Sequence, residues 1–230
     1  HTMAVAFEYG LEGDVYGLSL DGVGLGTDGR AWGCEALFCR SNGTFERLGH
    51  LQNLPLPGGD AAAREPWRMA VAAALTAECR RAAIALWPQR PVAAMLSLAS
   101  NPRLTSTTSS AGRLFDAVSA IAGLCDEQSD EAQAAMLLEA AGGDFADASC
   151  EEDDFVVTQE SGLNVLQVTA LLQRLFAMRL EGRTSQAISM RFHAAFSAGM
   201  AKLAAECFPA GATVCLSGGT FLNRFVAADL

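Results

Sequence analysis

The chain lacks the features that mark several common protein classes. Of its 230 residues only 18% are charged and 7% are aromatic, and Lys202 is the only lysine. The formal net charge of −10 argues against a nucleic-acid substrate, because binding phosphates normally requires a basic face. No run reaches the roughly 18 uninterrupted apolar residues that a membrane helix needs, and no signal peptide opens the sequence. We therefore expect a cytoplasmic protein that binds neither nucleic acid nor membrane.

The cysteines exclude two further classes. There are seven, an odd number, and none forms a C-x-x-C pair, so neither a zinc finger nor a disulfide framework is indicated. Most lie in apolar runs, which is typical of reduced and buried thiols. Hydrophobic residues make up 50% of the chain, enough for the core of one large domain or one two-layer lobe.

The hydrophobic pattern predicts strands first and helices afterwards. Three short strands separated by glycine-rich turns, Val15 to Leu20, Ala31 to Arg40 and Phe45 to Leu51, predict an antiparallel meander. The polar segment Asn101–Ser110 and the acidic segment Asp144–Asp154 are predicted to be loops. Helical spacing is found over Ala61–Trp87, Leu114–Leu124, Ser129–Ala141, Val165–Leu180 and Ser185–Cys207.

The most informative stretch lies near the end of the chain. A strand over Thr213–Leu216 ends in Ser217, Gly218 and Gly219, and a helix with Asn223 in its first turns is predicted to follow. Consecutive glycines let the backbone approach a ligand, and the free N–H groups of a helix start can hold an anion. This pattern predicts a nucleotide or phosphate site, although the same turn also closes ordinary α/β units.

Asp21 is a second candidate, at the end of the first predicted strand. It opens a glycine-rich turn, Asp-Gly-Val-Gly-Leu-Gly. A carboxylate exposed at a strand end can face a metal ion or phosphates, both of which prefer hard oxygen partners. The alternative is an ordinary Asp-Gly turn residue.

Four blocks in a fixed order connect these features. They are residues 17–33, 54–70, 104–135 and 214–224, and they include Arg-Glu-Pro-Trp-Arg and Gly-Arg-Leu-Phe-Asp. Together they resemble the Kae-type domain of the HypF carbamoyltransferases, which mature nickel–iron hydrogenases. The resemblance runs from His1 to Leu230. It implies a single α/β domain over residues 1–230, incomplete at both ends. The implied architecture is a lobe of the actin/Hsp70/sugar-kinase ATPase fold, with an N-terminal meander and a helical insertion.

The resemblance also implies a catalytic cluster. Asp21, Arg64 and Arg68 are expected to surround the carbamoyl group, since the planar fork of arginine binds two oxygens at once. Surface salt bridges are the alternative role for the two arginines and for Glu65.

A nucleotide site is implied by the same resemblance. Asp116 is expected to reach ribose hydroxyls, a solvated helix residue being the alternative, and Glu131 to pack near the nucleotide beside Ala132, which replaces a family glycine. The residues expected to bind the nucleotide are Gly112, Asp116, Glu131, Ser217, Gly218, Gly219 and Asn223.

A metal site would be only partly present. His1 falls where the family has the second histidine of a His-x-x-x-His motif, and Asp21 matches a further ligand; the alternative is that His1 is a cloning remnant. The complete protein is expected to hold a divalent metal, iron or zinc. Val23 and Leu25 stand where relatives have Thr and Tyr, so no hydroxyl is available there.

The implied activity is carbamoyl transfer. In the family, carbamoyl phosphate and ATP yield carbamoyl adenylate in a separate domain, and the Kae-type domain passes the carbamoyl group to the C-terminal cysteine of HypE. Two alternatives stay open. One is an O-carbamoyltransferase acting on small-molecule hydroxyls, and the other is a non-catalytic remnant kept for partner binding.

Overall fold

The structure is a computed structural model that describes residues 1–143, 151 and 154–230. The predicted acidic loop Asp144–Asp154 lies almost entirely outside these residues, as does Cys150. None of the helices in the described part combines the length and the apolar character that crossing a membrane requires.

An eight-stranded mixed sheet forms the centre of the described fold. The predicted meander is confirmed, because the first three strands pair antiparallel in sequence order. The last strand, β8, returns to lie parallel to β1. The strands are β1 Val15–Leu25, β2 Ala31–Cys39, β3 Phe45–Leu51, β4 Leu54–Leu56, β5 Ser106–Thr108, β6 Val156–Glu160, β7 Leu163–Gln167 and β8 Val214–Ser217.

Helices cover both faces of this sheet. The longest, α9, has the bounds that the sequence predicts. The helices are α1 Thr2–Glu8, α2 Asp60–Arg64, α3 Pro66–Thr76, α4 Arg80–Leu86, α5 Val92–Ala99, α6 Ala111–Ile121, α7 Gln133–Ala141, α8 Thr169–Leu180, α9 Ser185–Cys207 and α10 Arg224–Asp229. The expected α/β architecture is confirmed.

The single helix predicted over Ala61–Trp87 is wrong. It is three helices, interrupted first at Glu65, whose backbone (φ −123°, ψ 78°) is not helical. Glu65 precedes a proline, which disfavours the helical conformation in the residue before it. The second interruption is at Glu78, which has a left-handed φ of 58°. The alanine-rich composition concealed both breaks, because alanine favours helix wherever it stands.

Two segments have a different secondary structure from the one predicted. Val165 lies in β7 and not in a helix, because a turn through Ser161 and Gly162, both with positive φ, folds β6 and β7 into a hairpin. The loop predicted over Asn101–Ser110 contains the short strand β5. Both segments are short and carry too few residues for a period of two to be recognised.

The side chains on the two faces of β1 have different surroundings. Leu18 and Leu20 point into the main core with aromatic residues of α6 and α9, where Phe115 packs edge-on against Phe196 at 5.2 Å between ring centroids. The alternate positions face α1, and Gly17 has no room for a Cβ because the side chain of Thr2 lies there. The side chains of Ser19 and Asp21 are therefore kept out of the core.

Helix α7 begins later than the predicted Ser129, and Ala132 explains why. Ala132 precedes the helix with a φ of 59°, in the left-handed region that disfavours any residue with a Cβ. Ala132→Gly should raise the free energy of unfolding by about 0.5–1 kcal/mol, the relief of strain being offset in part by the flexibility of glycine in the unfolded chain.

The matched control is Ala135→Gly, three residues along in the helical part of α7. It should lower the free energy of unfolding by about 1 kcal/mol, because glycine is a poor helix former. Denaturant unfolding of both variants measures the difference. Destabilisation by both substitutions would show that residue 132 is not left-handed.

Candidate functional site

The centre of the candidate site is the middle of β1, just past Ser19, where the pairing of β1 with β8 stops. The prediction that Asp21 ends the strand and opens a turn is wrong, because β1 continues to Leu25 after a register shift between Leu20 and Gly24.

Strand β8 lies parallel to β1 with Ser217 opposite Ser19, so the residue that follows β8 is carried alongside Leu20. That residue is Gly218, with a φ of 101°. A Cβ on Gly218 would lie 2.1 Å from the carbonyl oxygen of Leu20. Only glycine fits this junction, for both conformational and steric reasons.

The N-terminus of α6 approaches the same part of β1, at Asp21 and Gly22. Ser110 caps α6 by accepting a hydrogen bond from the Arg113 N–H at 3.1 Å, and its hydroxyl donates to the carbonyl oxygen of Gly22 at 2.5 Å. A Cβ on Gly112 would lie 2.7 Å from the Cα of Gly22. The first turn of α6 is thereby pressed against the residue after Asp21.

Asp21 lies between these two glycine segments. Its Oδ1 accepts a hydrogen bond from the Gly22 N–H at 2.7 Å, and a Cβ on Gly219 would lie 3.7 Å from the same oxygen. Its Oδ2 lies 3.1 Å from Nε2 of His1. Residues far apart in the sequence are thus brought together around one partly exposed carboxylate.

The contact between His1 and Asp21 bears on whether the chain can bind a metal ion. An imidazole nitrogen and a carboxylate oxygen in contact are a suitable pair of ligands for a divalent ion. Among the described residues, however, no group of three or more His, Cys, Asp and Glu side chains is placed to hold one. These residues can therefore supply two ligands of a metal site.

A cleft of about 260 Å³ opens beside the carboxylate. Its wall includes His1, Asp21 and the apolar side chains of Trp32 and Phe45. Leu25 lines the same cleft and is 89% exposed. The cleft thus places a polar end, at Asp21, next to an apolar surface.

Glu35 supports this region, although nothing in the sequence points to it. It is buried, and both oxygens of its carboxyl group have protein partners. Oε2 lies 2.5 Å from Nε of Arg47, and Oε1 accepts from the hydroxyl of Ser109 at 2.5 Å and from the Gly33 N–H at 3.1 Å. In the sequence, a strand residue between Cys34 and Ala36 is expected to belong to the core. The hydrogen-bond network becomes visible only through its partners on other elements, Arg47 and Ser109.

The predicted catalytic arginines lie elsewhere. Arg64 is exposed at the end of α2. Nε of Arg68 donates to Oε2 of Glu65 at 2.9 Å, and the indole of Trp67 donates to the same oxygen. The bond from Arg68 lowers the pKa of Glu65. Neither arginine lines the cleft beside Asp21, so their catalytic role stays a prediction.

Asp116 and Glu131 occupy opposite environments. The carboxylate of Asp116 is 1% exposed and lies 2.9 Å from Nε of Arg113, and burial raises its pKa to about 6. It faces inward, so the predicted ribose contact would require Arg113 to move aside. Glu131 is exposed, directly before the left-handed Ala132.

Asn223 is a helix cap in this structure. Its Oδ1 accepts from the N–H groups of Phe225 and Val226, and its Nδ2 donates to Nε2 of His193 at 3.0 Å. Burial lowers the pKa of His193 to about 4, which keeps the imidazole neutral and able to accept. The second N–H of Nδ2 is the group left for the predicted nucleotide contact of Asn223, because its backbone N–H and carbonyl are hydrogen-bonded to Thr220 and Ala227. The helix α10 begins after a short 3₁₀ turn over Gly219–Leu222.

Ser217 differs from Asn223 in having no partner. Its hydroxyl is buried and makes no hydrogen bond within the described structure. Buried hydroxyls are normally satisfied. Ser217 therefore remains available to a ligand at the β8 junction.

Comparison with known proteins identifies the family. The family described as "Carbamoyltransferase, Kae1-like Domain, second subdomain" matches residues 17–230. A carbamoyltransferase HypF homolog of Cupriavidus necator is 44% identical over 245 residues, covering 100% of this chain and 60% of the relative. The carbamoyltransferase HypF of Rhizobium leguminosarum bv. viciae is 40% identical, covering 100% of this chain and 29% of the relative.

Solved structures agree with these relatives. A full-length HypF crystallised in the phosphate- and nucleotide-bound form superposes with a TM-score of 0.82 at 30% identity, covering 99% of this chain and 36% of the other. The HypF of T. kodakarensis gives a TM-score of 0.72 at 28% identity, covering 95% of this chain and 30% of the other. The chain therefore spans less than two thirds of these relatives. It belongs to the HypF carbamoyltransferase family, and its residues 17–230 match the second subdomain of the Kae1-like domain.

Proposed function

We propose that this chain is the nucleotide-binding transfer domain of a HypF-type carbamoyltransferase. One observation carries the proposal: Gly112 and Gly218 press against residues 20–22 from two directions, leaving Asp21 between them. Helix N–H groups and glycine backbone at such a point suit a phosphate, which needs donors and close approach. The related HypF crystallised with phosphate and nucleotide supports the same ligand class.

The reaction follows from these groups. The proposed donor is carbamoyl adenylate, made from carbamoyl phosphate and ATP elsewhere in the complete protein. The acceptor is the C-terminal cysteine of a HypE-like protein. The cysteine sulfur forms a bond to the carbamoyl carbon as the bond to the phosphate oxygen breaks, and AMP leaves with that electron pair. The chain contributes position and charge stabilisation, since no protein nucleophile is needed.

Asp21 is the polar group at the end of the cleft where the carbamoyl group is proposed to bind. Its carboxylate, fixed by the Gly22 N–H and adjacent to His1, would hold one side of a metal site with that histidine. A divalent cation held there would supply Lewis-acid chemistry to the carbamoyl group. The apolar side chains of Leu25, Trp32 and Phe45 suit the body of a flexible acceptor tail, whose ordering costs a few kcal/mol.

Nucleotide binding can be tested with Gly219→Val. Unlike Gly218, Gly219 has space for a Cβ, which would make an ordinary contact 3.7 Å from Oδ1 of Asp21. The fold should therefore survive while the added side chain covers the approach to the carboxylate. Calorimetry should show the affinity for AMP and ATP reduced by about tenfold or more.

The matched control is Ala210→Val, which adds a valine in the exposed loop ahead of β8. It should bind nucleotide as the wild type does. Equal affinity in the wild type and both variants would show that the nucleotide does not bind at this junction.

Metal binding by the 230-residue chain is predicted to be weak. His1 and Asp21 are two ligands, whereas stable sites usually have three or four from the protein. Elemental analysis after dialysis should find well under one iron or zinc per chain. One tightly held ion per chain would contradict this and show that other residues complete the site.

The acceptor can be tested in the complete protein. With carbamoyl phosphate, ATP and HypE, mass spectrometry should detect a thiocarboxamide on the HypE cysteine. Asp21→Ala should reduce the rate by about 100-fold or more, because it removes a charge at the reacting centre. Asp14→Ala, at an exposed position before the opposite end of β1, is the control and should leave the rate unchanged.

Two results would decide for the alternatives. Transfer to a small-molecule hydroxyl with HypE unmodified would support an O-carbamoyltransferase. Retention of HypE binding without transfer to either acceptor would support a non-catalytic partner-binding domain. The exposed Val23 and Leu25, in place of hydroxyl-bearing residues, are the observation that favours the latter.

A further inference from the structure

The buried carboxylate of Glu35 makes contacts that one structural ion pair does not need. It accepts hydrogen bonds from Ser109 and Gly33 and pairs with Arg47. Nη2 of Arg47 also donates to the hydroxyl of Ser109 at 3.1 Å, so the three side chains form a closed ring. The guanidinium carbon of Arg47 lies 3.9 Å from the ring centroid of Trp32, which fixes its plane.

Two of the residues that Glu35 holds connect it to the backbone at Asp21 and Gly22. Gly33 is one such residue, because a Cβ there would lie 2.6 Å from the carbonyl oxygen of Asp21 and 3.0 Å from the Cα of Ser110. Ser109 is the other, since it precedes Ser110, whose hydroxyl binds the carbonyl oxygen of Gly22. The Glu35 carboxylate therefore links β2 and the loop before α6 to the middle of β1 at Asp21 and Gly22.

We propose that Glu35 is a positioning residue, which sets the distance between Asp21 and the first turn of α6 through Ser109 and Gly33. The inference rests on the proposed function, because the geometry it fixes is that of the nucleotide and carbamoyl site. Glu35 is not a catalytic residue, because both of its oxygens already accept hydrogen bonds from the protein and neither is left to contact a reacting group.

The charge on Glu35 is what this role requires. Both of its oxygens accept, and all its partners donate. Glutamine has the same shape but carries an NH₂ group in place of one oxygen, so a donor would face either Arg47 or Ser109. The ring would open, and the contacts that press Ser110 against Gly22 would relax.

Glu35→Gln in the complete protein tests the inference. At a temperature where the variant is folded, the kcat of carbamoyl transfer to HypE should fall on the order of 10- to 100-fold, the loss expected from a displacement of about 1 Å at a reacting centre. The rate is measured at saturating HypE, because Glu35 also lines the cleft that is proposed to receive the acceptor tail. Glu35→Asp, which keeps the charge, should restore part of the lost kcat.

Asp154→Asn is the matched control. Asp154 is equally buried and is paired with Arg174 and Arg191 at 3.2 and 2.7 Å, on other elements than the site. Thermal unfolding should show both variants destabilised, but only Glu35→Gln should lose kcat. Equal losses in the two variants, or a wild-type kcat in Glu35→Gln, would overturn the positioning role.

Ser109→Ala gives a milder second variant in case Glu35→Gln does not fold. It should lower kcat in the same direction by a smaller factor, and the double variant should be no slower than Glu35→Gln alone, because both substitutions break one ring. A wild-type kcat in Ser109→Ala would count against the inference. If the wild-type protein itself transfers nothing, the proposed function fails, and the affinity for AMP then decides. Glu35→Gln should weaken it and Asp154→Asn should not.

Discussion

The structure depends on the absence of side chains where three backbone segments meet. Gly218 after β8 lies against Leu20, and Gly112 in α6 lies against Gly22, each closer than any Cβ would permit. These contacts bring the strand-glycine-helix unit and the first turn of α6 to one carboxylate, Asp21. We propose that the N–H groups at the first turn of α6 and in the Gly218–Gly219 segment suit a phosphate-bearing ligand beside this carboxylate.

Buried polar groups hold the segments in place once the glycines have allowed them to approach. Ser110 connects α6 to Gly22 in β1. The ring of Glu35, Arg47 and Ser109 connects β2 to the loop before α6. On the other side, Asn223 joins the start of α10 to His193 in α9. Such networks fix one geometry because breaking any member leaves a buried polar group unsatisfied.

The sequence predicted the parts of this arrangement that have a local signal. The meander, helix α9 and the junction at Gly218 follow from periodicity and from paired glycines, and the order of the blocks indicated the family. The breaks at Glu65 and Glu78 had a weak local signal or none. Glu35 could not be selected, because its importance lies in partners on other elements. Asp116 and Asn223 were assigned outward roles, whereas packing turns their side chains toward Arg113 and His193.

A crystal structure of the chain with bound AMP would test the central claim most directly. The account predicts the phosphate against the backbone of Gly218 and Gly219, with Ser217 as an added donor and Asp21 within reach of the phosphate end. The backbone at residues 20–22 should move little, because the site is held by contacts already present without ligand. A nucleotide bound away from this junction, or a rearrangement of residues 20–22 around the bound nucleotide, would contradict the account.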